Sequence, residues 1–158
     1  MPTEPATARI PDDSCLPAQL PRTDFADAYT VRVPPGTSAD PNEWARRVFA
    51  DPPSWIRGLL RLRDRLVSLL GLKPNDYEAL TPFPVLHRTD REVILGRDDR
   101  HLDFRSSVHV AQSPTDVRIT VSTVVNFHNL FGRLYFLPVR PLHARMVRTL
   151  LRHAASTG

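Results

Sequence analysis

One cysteine is all that this 158-residue sequence holds, one lysine stands among its 21 basic residues, and six glycines are spread along it. Each shortage excludes something. Cys15 has no second cysteine to pair with, so an internal disulfide and a cysteine-built tetrahedral zinc site are both ruled out. Lys73 is the lone lysine, and an arginine bias of that kind arises from base composition as readily as from phosphate binding. Seventeen acidic residues are interspersed among the basic ones, so the net charge of +4 describes a mixed-charge surface and no nucleic-acid partner is expected. No apolar run approaches the roughly 20 residues that a spanning helix requires, so no membrane insertion is expected. The first residues carry Glu4, Asp12 and Asp13 in place of a basic start and an apolar stretch, which argues against a targeting peptide and for a cytoplasmic protein.

Missing motifs narrow the chemistry further. There is no phosphate loop, no Gly-x-Gly-x-x-Gly, no Gly-x-Ser-x-Gly elbow, no His-Glu-x-x-His and no Cys-x-x-Cys. Triad hydrolysis, nucleotide-driven work and zinc catalysis therefore lack support, and neither a cofactor nor a metal is expected.

What the sequence has in excess is proline, sixteen in all. Pro2, Pro5, Pro11, Pro17 and Pro21 crowd residues 1–23, where no helical or strand period is found, so this segment is expected to be a flexible leader that packs little. Residues 24–154 are long enough for one α+β domain with its own core, and 155–158 are left as a tail.

Within that domain, alternation from Asp24 to Val33 predicts a strand, stopped by Pro34-Pro35-Gly36. Asp40, Pro41 and Glu43 spell an N-cap, a first-position proline and a capping-box acid for a helix through Phe49. A second helix starts after Asp51-Pro52-Pro53-Ser54. Its stripe of Trp55, Leu59, Leu62, Leu66 and Leu69, widened by Ile56, Leu60, Val67 and Leu70, is expected to pack in the core, and Gly71 and Pro74 end it. After Pro82 the period becomes two. Four strands, 83–88, 92–97, 101–112 and 115–128, are joined by turns too short for anything but antiparallel neighbours. Tyr135, Phe136, Leu137 and Val139 are expected to form a further extended segment, and Pro141 to open a long closing helix.

This order of elements is similar to the helix-grip arrangement of the START-like, or SRPBCC (polyketide-cyclase-like), superfamily. Several stretches sharpen the likeness: Asp24 to Tyr29, Glu92 to Gly96, His101 to Arg105, Asn129 to Tyr135 and Pro141 to His143. They resemble a bacterial domain-of-unknown-function family, DUF2867, placed within that superfamily, over roughly residues 24–154. The resemblance implies a curved antiparallel sheet around a long C-terminal helix, with an apolar cavity between them. It implies as well a small hydrophobic ligand; a minority of such proteins are cyclases, dehydratases or isomerases working without a cofactor.

Candidate residues divide by face. His101, Asp103, Arg105, Ser107 and His109 alternate with Leu102, Phe104 and Val108, so if the apolar set faces the core this array forms a solvated outer face. Ser106 and Thr123 interrupt apolar faces and are positioned to aim hydroxyls inward, as well as to act as small core polar groups. Asn129, Arg133, Tyr135 and His143 flank the entry to the last helix, where the choice between orienting a ligand's polar end and capping the helix stays open. Glu92 completes the ligand-binding set, as an inward carboxylate needing a partner such as Arg105 or Arg118. No residue is assigned a catalytic role. Binding of a small hydrophobic molecule leads, a cofactor-independent enzyme is the alternative, and a protein that meets an acidic partner through arginine-bearing helix faces is a third possibility.

Overall fold

The computed structural model describes residues 1–69 and 83–157. Among them, six strands form one antiparallel sheet, with three α-helices and a short 3-10 helix around it. The architecture is α+β and matches the expected helix-grip pattern: a curved sheet that holds a long C-terminal helix. In chain order the elements are β1 (Ala6–Thr7), the 3-10 helix (Leu16–Gln19), β2 (Phe25–Val33), α1 (Pro41–Phe49), α2 (Ser54–Leu69), β3 (Val85–Arg88), β4 (Glu92–Asp98), β5 (Leu102–Gln112), β6 (Val117–Phe127) and α3 (Leu130–Ser156). The sheet order is β1-β2-β6-β5-β4-β3. Consecutive strands β3 to β6 pair as hairpins, and β2 closes the sheet by pairing along its whole length with the last strand, from Phe25↔Val125 to Val33↔Val117.

Strict alternation sends Tyr29, Val31, Val93, Leu95, Val108, Ile119 and Val121 to one face, where they pack with Trp44 and Val48 of α1 and with Val147, Leu150, Leu151 and Ala154 of α3. Burying each of these large side chains contributes about 1.5–3 kcal/mol. In α1, Asp40 accepts a hydrogen bond from the Asn42 amide at 2.9 Å, as the N-cap predicts. Glu43 does not close the capping box; it is hydrogen-bonded by Ser38 and paired with Arg47.

Four expectations need correction. The N-terminal segment is not a loose leader. β1 pairs with β2, the Thr3 amide donates to the Arg32 carbonyl at 2.9 Å, and Leu16 and Leu20 are buried with Ile94 and Val124 on the outer face of the sheet. Proline forbids a helix interior, yet it is compatible with edge pairing and with the first turn of a 3-10 helix, where Pro17 sits. The leucines then supply the apolar contact.

The α2 stripe is not core packing. Ile56 is buried and Leu59 and Leu60 are half-buried, but Trp55, Leu62 and Leu69 are exposed, the last by 82%. The side chains of Leu66 and Val67, and residues Leu70, Gly71, Pro74 and Pro82, lie outside the described residues. Periodicity marks an apolar stripe but does not say that a partner exists to cover it.

Nor do Tyr135 to Val139 form an extended segment. They are helical, because α3 starts at Leu130 with Asn129 as its N-cap, accepting from the Gly132 amide at 3.0 Å. The helix runs on through Pro138 and Pro141, which remove the bonds to the Leu134 and Leu137 carbonyls without ending it. Packing of Phe136 against Phe25 and Phe127, with ring centroids 4.8 and 5.4 Å apart, holds that half of the helix on the sheet. Gly132 permits this docking, since a Cβ there would lie 2.3 Å from the His101 carbonyl oxygen. At its other end α3 continues to Ser156 with Ala155 buried, so the expected 155–158 tail is largely helix.

The fourth correction concerns the strand array. It faces away from the core as expected, but it is not solvated: Arg105, Ser107 and His109 are buried beneath the N-terminal segment.

Candidate functional site

Strand register places three polar side chains in one row across the inner face of the sheet. Asp27 of β2 pairs with Thr123 of β6, which pairs with Ser106 of β5. The rows to either side are apolar, Phe25-Val125-Phe104 and Tyr29-Val121-Val108. A sequence of period two aims all of these residues inward, so the polar row crosses an otherwise oily floor. Ser106 donates to the Ser122 carbonyl at 3.2 Å, and its hydroxyl lies 3.5 Å from that of Thr123.

Above this floor α3 carries His143, whose Nε2 faces Asp27 Oδ1 at 3.4 Å. Both atoms are buried, and neither has a well-aligned hydrogen-bond partner among the described residues. The separation is that of a long hydrogen-bond contact with room to tighten. The phenol of Tyr29 also meets Asp27: burial first, then the charge and hydrogen bonding of Asp27, push its pKa above the ordinary value. A carboxylate against one imidazole nitrogen determines which nitrogen holds the proton and leaves the other for a ligand.

Between the sheet and α3 lies a cavity of about 180 Å³ lined by Ser106, Thr123, Phe104, Val125, Phe136 and His143. It adjoins a groove of about 400 Å³ between α2 and α3, and Leu60, Arg63, Tyr135, Val139, His143 and Met146 line both. The two spaces therefore share a wall. Their walls are apolar apart from Ser106, Thr123, His143, the Tyr135 side chain and Arg63, which pairs with the buried Asp64 at 3.1 Å. An apolar enclosure with a few convergent polar groups is the usual form of a small-molecule site.

Of the residues expected to bind ligand, Ser106, Thr123, Tyr135 and His143 come together here. Glu92 does not. It stands on the opposite face, 1% exposed, accepting hydrogen bonds from the Ser14 hydroxyl at 2.5 Å and the Cys15 amide at 2.8 Å. Its partners are thus the N-terminal segment and neither Arg105 nor Arg118. Asn129 is occupied as the α3 cap and meets His101 at 3.0 Å. Arg133 is exposed, 5.5 Å above the Phe127 ring and 3.7 Å from Asp24. Both are structural residues of the strand-to-helix junction. Asp27 was missed, though the alternation Phe25, Asp27, Tyr29, Val31 carried the signal: a carboxylate in register with core residues.

The outer face holds its own polar cluster. His109 Nε2 lies 3.1 Å from Asp13, and Arg91 lies 3.4 Å from the same carboxylate. Burial works to raise the Asp13 pKa, but the charge and hydrogen bonding of His109 and the bond from Arg91 prevail and lower it. These groups tether the N-terminal segment. Among the described residues no group of three or more His, Cys, Asp or Glu side chains is arranged to hold a metal ion, and no helix is long and apolar enough to cross a membrane.

A family model described as "Protein of unknown function (DUF2867)" matches residues 19–150, which runs from the last residue of the 3-10 helix into the C-terminal half of α3. No curated protein matches the chain.

Proposed function

The chain belongs to the DUF2867 family, and from that premise we propose that it binds a small hydrophobic molecule with one polar end in the cavity between the sheet and α3. The observation that carries this is the pair Thr123 and Ser106 on the floor of an apolar cavity, with His143 in its wall and Asp27 beside Thr123 and His143. A ligand's apolar body would lie along Phe104, Val125, Phe136 and Val139, displacing poorly held water. Its polar end, a hydroxyl, carbonyl or amide, would meet Thr123, Ser106 and the free imidazole nitrogen. Placement of the family in the START-like superfamily is part of the same proposal, supported by the helix-grip architecture.

Native mass spectrometry of the purified protein, before and after organic extraction, tests this. A co-purified apolar compound that reappears in the extract is the expected result, and Thr123→Val with Ser106→Ala should lower its occupancy. If no apolar compound co-purifies and none from a panel of fatty acids, sterols and aromatic polyketides binds, the proposal fails.

The Asp27–His143 pair favours a second reading, a cofactor-independent cyclase, dehydratase or isomerase acting on an apolar carbonyl compound. There the imidazole would take or give a proton while Asp27 keeps it oriented. A substrate turned over by the unaltered chain and equally well by Asp27→Asn and His143→Gln would exclude it.

A further inference from the structure

Large apolar side chains left exposed are not scattered over this molecule. Of the ten among the described residues, eight lie on two helices: Trp55, Leu62 and Leu69 on α2, and Leu130, Phe131, Leu134, Leu137 and Leu142 on α3. The groove between those helices adjoins the cavity, and Leu62, Pro138 and Leu142 line it. Exposed apolar side chains concentrated on two adjoining helices mark a surface with a partner.

Charge identifies the partner. The two helices carry nine arginines and one carboxylate, Asp64, which is buried. Every one of those arginines except Arg63 is exposed. On α2, Arg57, Arg61 and Arg65 follow one another four residues apart and run beside the stripe of Trp55, Leu62 and Leu69. On α3 the outward stripe changes character along its length. It is leucine at 130, 134 and 137, then arginine at 145, 148 and 152. Arg145, Arg148 and Arg152, with Thr149, line an open depression of about 420 Å³, large enough for a phosphate headgroup. Part of this array is already engaged: Asp51 lies 3.9 Å from Arg57, Asp24 lies 3.7 Å from Arg133, and Glu4 lies 2.7 Å from Arg152. Arg148 donates to the Thr7 hydroxyl at 3.0 Å, and Arg140 and Arg148 lie over the Phe25 and Tyr29 rings; Arg61, Arg65 and Arg145 have no such contact among the described residues.

We propose that the α2–α3 face docks on an anionic lipid surface, its leucines entering the headgroup boundary and its arginines meeting lipid phosphates. An arginine-flanked apolar face is what an interfacial helix presents. An acidic protein would complement the arginines but would not by itself account for eight exposed apolar side chains on the two helices that line the groove. A bilayer satisfies both and is a source or sink for an apolar molecule that water cannot carry. Docking in this way is peripheral and needs no spanning helix.

Co-sedimentation of the full chain with vesicles of phosphatidylcholine alone, and of phosphatidylcholine mixed with phosphatidylglycerol, decides the matter. Binding to the mixed vesicles, weak binding to the neutral ones and release by salt are expected. Arg61→Gln with Arg65→Gln should weaken binding by about fivefold for each charge removed. Leu134→Ser with Leu137→Ser should weaken it without altering the circular dichroism spectrum, since both side chains are already exposed. No binding to the mixed vesicles overturns the proposal. So does binding that ignores the leucine pair, which would be charge attraction alone. A dimer in solution that becomes monomeric in the leucine variant, with no vesicle binding, would assign the face to a second copy of the chain. None of these outcomes bears on whether a ligand co-purifies, so the docking surface and the cavity stand or fall separately.

Discussion

Replacing Glu92 with alanine should release the N-terminal segment while leaving the sheet folded. The Glu92 carboxylate is 1% exposed and accepts from the Ser14 hydroxyl at 2.5 Å and the Cys15 amide at 2.8 Å; Ser14 in turn accepts from the Leu16 amide at 3.1 Å. Hydrogen bonds to a charged group contribute roughly 1.5–3 kcal/mol each. Alanine also removes a buried carboxylate, whose desolvation cost offsets part of the loss. The net loosening of residues 13–20 should be about 2 kcal/mol, equivalent to a roughly thirtyfold rise in the population of the detached segment. Cys15 is the sole cysteine and lies half-buried beside Leu16, so the rate of its labelling by a thiol reagent rises above the docked-state rate as this segment detaches. Glu92→Ala should label about thirty times faster than the unaltered chain, and Ser14→Ala, which keeps the Cys15 amide bond to Glu92 but loses the two bonds of its own hydroxyl, about five times faster. Unchanged labelling in Glu92→Ala, with a circular dichroism spectrum like that of the unaltered chain, would refute the reasoning. Should Glu92→Ala fail to fold, the Ser14→Ala rate remains the test.

Other consequences of the structure are equally open to measurement. His128 meets Asp103 at 2.9 Å, and its pKa is raised by that hydrogen bond, in the face of opposing desolvation, and by the carboxylate's charge. Its contribution to stability is therefore complete below the ordinary histidine value of about 6.5 and is lost as pH rises through the folded value. An NMR titration of the His128 ring should show the raised pKa, and Asp103→Asn should bring it down. Gly132→Ala would set a Cβ 2.3 Å from the His101 carbonyl; denaturant unfolding should register a loss of roughly 1–3 kcal/mol, as for other overpacked sites. Phe136→Ala removes a buried ring that touches Phe25 and Phe127 and lines the cavity, at a cost of about 3–5 kcal/mol. The enlarged space should take up an apolar dye more strongly than the unaltered protein, and a fully collapsed site with no added dye binding would contradict the cavity geometry.

Strands and hairpins were the most legible features, because alternation and turn chemistry act within a few residues of one another. Leu102, Phe104 and Val108 were assigned to one apolar face from spacing alone, and they lie on the inner face. Helix limits were legible where a cap was unambiguous, as with Asp40 and Pro41. They were not where signals competed. Pro141 looked like a helix start, whereas Asn129, with an apolar run behind it, was the real one, and packing of Phe136 on the sheet carried the helix through both prolines. Part of the site was legible in the same way. Ser106, Thr123, Tyr135 and His143 were named from their places on apolar faces or at the helix junction, and all line the cavity. Glu92 was placed on the wrong face, although the same alternation that puts Val93 inward puts Glu92 outward.

The sequence by itself determined the local conformations: period, caps and turns act between residues a few positions apart, and they sufficed for an antiparallel α+β chain with an apolar sheet face. Only the tertiary structure decided which surfaces are covered. The N-terminal prolines say nothing about the groove waiting for Leu16, and the α2 stripe says nothing about whether an element lies against it. Pairing of β2 with β6 brings Asp27 beside Thr123 across 96 residues of chain, and α3 then lowers His143 onto both. Such contacts depend on the closure of the whole sheet, and no window of neighbouring residues contains them.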